Sequence, residues 1–190
     1  MRIRLTRQRA LVIAVSISTF IALSISASSA SSTPPPMCSA ENLSLGIGQR
    51  VSPMTQEHGN IYTLTNRGKS ACFLFGYPGV SFYDKSGHVM LFKYTRSNSI
   101  YMGHMSPKTV VLLSGSRAFF LVAGSVCDPG TPIEAHTIRV YPPNTRKQLI
   151  GRATASPGVG SIYYCIGAPT NREQVLDISP ITKDIRHIYP

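Results

Sequence analysis

Acidic residues are scarce in this chain of 190 residues: eight Asp and Glu stand against nineteen Lys and Arg. Glu41, Glu57, Asp84, Asp128, Glu134, Glu173, Asp177 and Asp184 are scattered, and no two are spaced as the paired carboxylates of glycoside hydrolysis. Other local signatures of catalysis are missing as well. There is no G-x-S-x-G elbow, no H-E-x-x-H and no G-x-x-x-x-G-K-[ST] loop. A dispersed Ser/His/Asp triad leaves no such trace, because geometry defines it. A hydrolase therefore ranks third, behind two binding readings, and the expectation is a protein that is not an enzyme and needs no cofactor.

Long apolar runs are also few. The one that stands out, Leu11 to Ile25, spans 15 residues and is interrupted by Ser16, Ser18 and Ser24. A membrane-crossing helix needs about 20 mostly apolar residues. Arg2, Arg4, Arg7 and Arg9 precede the run, and Ser28-Ser29-Ala30 follows it. That order predicts a cleaved secretory signal peptide over 1–30, cut after Ala30 or Ala27. Arg7 and Arg9 are not adjacent, so the twin-arginine pattern is lacking. Cys38 lies too far past the run, behind Pro-Pro-Met, to be a lipid-modified cysteine. Residues 31–37, with Pro34-Pro35-Pro36, read as an extended linker. Residues 38–190 read as a single exported domain, large enough for a proper core.

Loss of the four leader arginines leaves 15 basic residues against eight acids, a net charge of +7. Such a charge draws an exported domain toward anionic polymers or membranes, or simply keeps it soluble. Cysteine is sparse but even in number: Cys38, Cys72, Cys127 and Cys165, with no C-x-x-C spacing for zinc or redox chemistry. Two disulfides are expected in an oxidising compartment, secreted or otherwise extracytoplasmic. Three connectivities are open. The pairing 38–72 with 127–165 is favoured, since each closes a moderate loop within one half of the chain.

Helical periodicity is absent, and strand patterns take its place. Leu43, Leu45 and Ile47 alternate with polar or glycine positions, and Ile61 to Thr65 ends at an Asn66/Gly68 turn. A strand carrying Cys72 runs into the Gly76-Tyr77-Pro78-Gly79 corner. Gly68 is expected at a turn position of positive φ, and the Tyr77 hydroxyl is expected to bond backbone. Val80–Asp84 and His88–Thr95 flank the loop Lys85-Ser86-Gly87. Thr109–Leu113 fits a strand buried on both sides. In Arg117–Val126, Ala118, Phe120 and Val122 face one way, Phe119 and Leu121 the other. Thr137–Tyr141, Gln148–Ala153, Ser161–Ile166 and Gln174–Ile178 complete the set. Short strands between Gly/Pro turns predict an all-β, antiparallel, immunoglobulin-like β-sandwich with two disulfides, a closed barrel being the alternative.

Several of these residues together carry a resemblance. They are Cys38, the Thr65-Asn66-x-Gly68-x-x-x-Cys72-x-Leu74-x-Gly76-Tyr77-Pro78-Gly79-Val80 core, Leu113-x-Gly115-x-x-Ala118, Cys127 and Cys165. The whole resembles a family of exported bacterial domains of unknown function, found mainly in actinobacteria and related soil bacteria. The resemblance covers about Cys38 to Ile181. It implies a secreted or envelope-associated β-sandwich with paired cysteines, and it implies no activity and no functional residues.

Two clusters remain as candidates. Arg139, Arg146, Lys147 and Arg152 flank Pro142-Pro143-Asn144-Thr145 and would gather at one end of a hairpin, with Tyr141 nearby. They fit a phosphate- or carboxylate-bearing polymer of the cell envelope, or an envelope protein. Nucleic acid fits less well, because exposed aromatics interleaved with the cations are lacking. The plain alternative is a solvated polar hairpin. The second cluster, Met102, His104 and Met105, offers thioether and imidazole ligands suited to Cu(I), with Met54, His58 and Met90 as further donors. Its plain alternative is Met102 and Met105 capping the sandwich end. The leading expectation is a non-catalytic binding module at the bacterial envelope, with extracytoplasmic copper binding second.

Overall fold

β-branched and aromatic residues set between Gly/Pro corners build short strands here, and the computed structural model describes residues 33–52, 57–96, 105–128, 130–155, 161–167 and 174–187. The predicted leader therefore lies outside the described residues. In chain order the strands are β1 (Leu43–Val51), β2 (Glu57–Asn66), β3 (Cys72–Leu74), β4 (Gly79–Tyr83), β5 (Val89–Met90), β6 (Lys93–Thr95) and β7 (Val110–Leu112). They continue with β8 (Arg117–Ser125), β9 (Thr131–Glu134), β10 (Thr137–Tyr141), β11 (Leu149–Arg152), β12 (Tyr163–Ile166) and β13 (Val175–Ile178). The described residues from Pro34 onward form one compact unit.

A five-stranded sheet has the order β1-β2-β8-β13-β6, and a four-stranded sheet the order β11-β10-β4-β5. Their facing sides share one core. Tyr62, Leu64 and Phe120 from the first sheet join Phe82, Ile138 and Val140 from the second, all fully buried. Each such side chain contributes about 1.5–3 kcal/mol by leaving water. Tyr62 and Phe120 are directly opposed across β2 and β8, and their rings stack at 5.3 Å. The alternation expected in β8 is present: Ala118, Phe120 and Val122 enter this core, while Leu121, with Phe119 packed beside it, joins a second cluster with Val51 and Ile61. The fold is all-β, with mainly antiparallel sheets and the disulfides Cys38–Cys72 and Cys127–Cys165.

Four local expectations are corrected. The stretch His88–Thr95 is two strands, because the chain turns at Phe92, whose N–H donates to the Met90 carbonyl at 2.9 Å. β5 stays beside β4, whereas β6 changes sheet and runs parallel to β13, so the pairing is not wholly antiparallel. β7 is buried on one side alone: it pairs with β3 in a small separate sheet, leaving Val111 at 40% exposure and Leu113 beyond it at 60%. Thr131–Glu134 was not among the expected strands, yet β9 forms a two-stranded ribbon with β12, where the missing N–H of Pro132 is tolerated.

Gly68 is the fourth correction: its φ is not positive. A Cβ there would sit 3.1 Å from Asn66 Oδ1 and 3.2 Å from Asn42 Cγ, so space rather than conformation selects glycine. Gly76, by contrast, has φ 108°, a conformation that favours glycine at the Tyr77-Pro78 corner. The Tyr77 hydroxyl bonds backbone as expected, donating to the Met105 carbonyl at 3.3 Å. Pro36 and Met37, read as the end of a linker, lie along β3: Phe73 N–H donates to the Pro36 carbonyl and Cys38 N–H to the Phe73 carbonyl, both at 2.9 Å.

Candidate functional site

Period-two alternation in β4 and β10 divides their side chains between the core and the outer face of the four-stranded sheet. Val80, Phe82, Ile138 and Val140 are buried, which turns Ser81, Tyr83, Thr137, Arg139 and Tyr141 outward. The register places Arg139 opposite Ser81 on one side and Ile150 on the other, with Thr137 between Tyr83 and Arg152. Tyr83 and Arg139 are thus diagonal neighbours. The Arg139 guanidinium carbon lies 4.1 Å from the centroid of the Tyr83 ring, a cation–π contact. Its Nε is buried and has no hydrogen-bond partner.

Tyr141 flanks Arg139 along the strand, and its hydroxyl donates to Gln148 Oε1 at 3.1 Å. Its ring lies over Gly79, where an added Cβ would touch Tyr141 Cβ at 3.4 Å. Ile150, 62% exposed, and Arg152 complete the face from β11. Polar groups, two arginines and two tyrosine rings therefore share one sheet surface.

The hairpin that brings β10 and β11 together turns at Pro142–Asn144. Asn144 adopts φ 61°, and Thr145 donates both its N–H, at 3.1 Å, and its hydroxyl, at 2.9 Å, to the Pro142 carbonyl. The four expected cations do not gather at one end. Pairing of Arg152 with Thr137 carries Arg152 to the open end, while Arg146 and Lys147 sit at the turn. Lys147 is also partly neutralised, its Nζ lying 3.1 Å from Glu41 Oε1. The Glu41 carboxyl is pulled down to about 2, first by the Ser39 hydroxyl, then by its own backbone N–H, then by Lys147. Both partners are largely exposed, so this pair holds the hairpin only weakly.

Tyr83 was not singled out from the sequence. Alternation marks it as outward, but only register shows that Arg139 covers it. That contact also bears on nucleic acid. Tyr83 does lie among the cations, but it is half-buried, and the guanidinium already occupies a face that base stacking would require.

The Met/His set is dispersed where it can be seen. Met102, His104 and Met54 lie outside the described residues. Met90 is buried in the main core, and Met105 packs against the second cluster. His58 is buried at 5% exposure, edge-on to Tyr163 at 5.7 Å, and hydrogen-bonds the Ser161 backbone. Among the described residues no group of three His, Cys, Asp or Glu is placed to hold a metal ion. Ser161 Oγ donates to Glu134 Oε1, but Ser161 is fully buried, which makes this pair an internal tie.

The disulfides are consistent with an extracytoplasmic protein. No helix among the described residues is long and apolar enough to cross a membrane. Against known families, residues 38–163 match the model of a domain of unknown function (DUF4232). No curated protein and no solved structure matches the chain.

Proposed function

We propose that this chain, which belongs to the DUF4232 family, is an exported, non-catalytic module that binds an anionic polymer of the bacterial cell envelope across the outer face of its four-stranded sheet. The observation that carries the reading is Arg139, its guanidinium carbon 4.1 Å from the Tyr83 ring centroid, on the same sheet surface as Arg152 and Tyr141. A guanidinium fixed by a ring loses less freedom on meeting a phosphate or carboxylate, whose oxygens match its planar N–H fork. Tyrosine and small polar neighbours suit a sugar or polyol backbone running over a pleated, open surface. The positive charge of the chain adds long-range attraction. Arg146 extends the face at the turn, and Lys147 contributes less because Glu41 already meets it.

Salt decides the matter. Exposed charges are screened beyond about 8 Å at physiological ionic strength. Oxidised protein is mixed with isolated envelopes, with polygalacturonate and with long-chain polyphosphate across a sodium chloride series. Wild type is expected to wash off progressively, and Arg139→Gln/Arg152→Gln to bind weakly even at low salt. Lys147→Gln should resemble wild type. Identical release of all three proteins at every salt concentration would reduce the face to a solvated surface.

A further inference from the structure

A second site lies away from this face, on the edge of β7 that no strand among the described residues pairs with. Antiparallel pairs alternate between bonded and non-bonded positions. The Phe73 N–H and carbonyl are both engaged on the side of Pro36 and Cys38, which turns them away from β7. Val111, opposite Phe73, must likewise direct its N–H and carbonyl away from β3. The Lys183 ammonium marks that edge, donating to the Val111 carbonyl at 3.3 Å. A groove of about 560 Å³ starts at the same strand, lined by Lys108, Thr109 and Val110 and by Ile181 and Lys183. That volume is within the usual range of ligand sites.

We infer that this groove takes an extended acidic peptide segment of a partner protein, which adds a strand to the edge of β7. Strand addition needs an edge for main-chain bonds and flanking groups for selectivity, and among the described residues β7 offers both once the Lys183 ammonium leaves the Val111 carbonyl. Selectivity comes from charge. Lys108 and Lys183 stand at the walls, while Asp184, the acid that lines the groove, is already gripped by the Arg186 guanidinium at 2.6–3.1 Å. An incoming N–H replaces the ammonium at the Val111 carbonyl, and the freed ammonium meets an acidic side chain. In the unbound protein the same lysine guards the edge against unwanted pairing. A second copy of the chain is a poor occupant, since edge-to-edge pairing would set these lysines against each other.

The probe is a fluorescein-labelled octapeptide of alternating glutamate and valine, compared with its lysine/valine counterpart and with a version methylated at every peptide nitrogen. The acidic peptide is expected to bind, the other two to fail, and amide resonances of residues 109–112 to shift. Lys108→Glu/Lys183→Glu, both at exposed positions, should weaken binding at least tenfold, whereas Arg139→Gln/Arg152→Gln should leave it unchanged. The methylated peptide tests the edge without altering the protein. Absence of binding, equal binding of acidic and basic peptides, or indifference to methylation would overturn the inference. So would a concentration-dependent dimer whose formation protects the amides of 109–112, since it would assign the edge to a second copy.

Discussion

Asn66 Nδ2 donates to the Leu112 carbonyl at 3.0 Å, across 46 positions of sequence. The same nitrogen donates to the Ser70 carbonyl at 2.9 Å, and Oδ1 accepts the Gly68 N–H at 2.9 Å. The side chain is fully buried, and these three partners set the orientation of its amide. Asn66 therefore ties the turn after β2 to β7 and accounts for the Asn and Gly of the central motif.

Each of those bonds is worth about 1 kcal/mol net, and the groups left behind would be desolvated. Asn66→Ala is expected to cost about 3 kcal/mol, lowering the melting temperature by roughly 6–12 °C in a domain of this size. Asn66→Asp should cost at least as much, because a carboxylate cannot donate to two carbonyl oxygens. Thermal melts of the two variants test this. An aspartate variant as stable as wild type would contradict the bonding pattern.

Acid should weaken the fold through His58. Burial, first, and the nearby Arg50 charge, second, hold its imidazole below the ordinary value of 6.5. The unfolded chain then binds more protons than the native one as pH falls below about 6.5, so stability present above that pH is lost progressively beneath it. Glu41 and Asp84, whose carboxyls are held low, act only at more acidic pH. Urea midpoints from pH 8 to pH 5 should fall for wild type and change less for His58→Gln. Parallel curves would exclude His58 as the source.

Peptide mapping without reductant should recover the linkages 38–72 and 127–165 and find no free thiol. On the loop-entropy model each bridge stabilises by about 3–4 kcal/mol. Cys38→Ala/Cys72→Ala should therefore melt earlier and also loosen residues 36–38 from β3, seen as faster amide exchange at Phe73. Unchanged exchange there would show that the backbone bonds alone hold this segment.

Alternation of side chains and the chemistry of turns were enough to place most strands, because both act between neighbours in sequence. The cysteine pairing was one of three open connectivities, favoured because its loops are moderate, and both of its bridges are present. The inward set Ala118, Phe120 and Val122 was legible in a single strand. What alternation leaves open is which strand lies beside which. The Arg139–Tyr83 contact joins β10 to β4 and exists only through their register, so it was invisible in a list of four cations. The departure of β6 from its hairpin partner depends on a turn at Phe92 and on space beside β13, a strand some 80 residues further on. Gly68 had a correct residue type and an incorrect reason, since its crowding comes from Asn42 and Asn66 rather than from its own backbone angle. Local pattern decided which face of each strand meets the core; the long-range pairing of strands decided which outward residues became a surface.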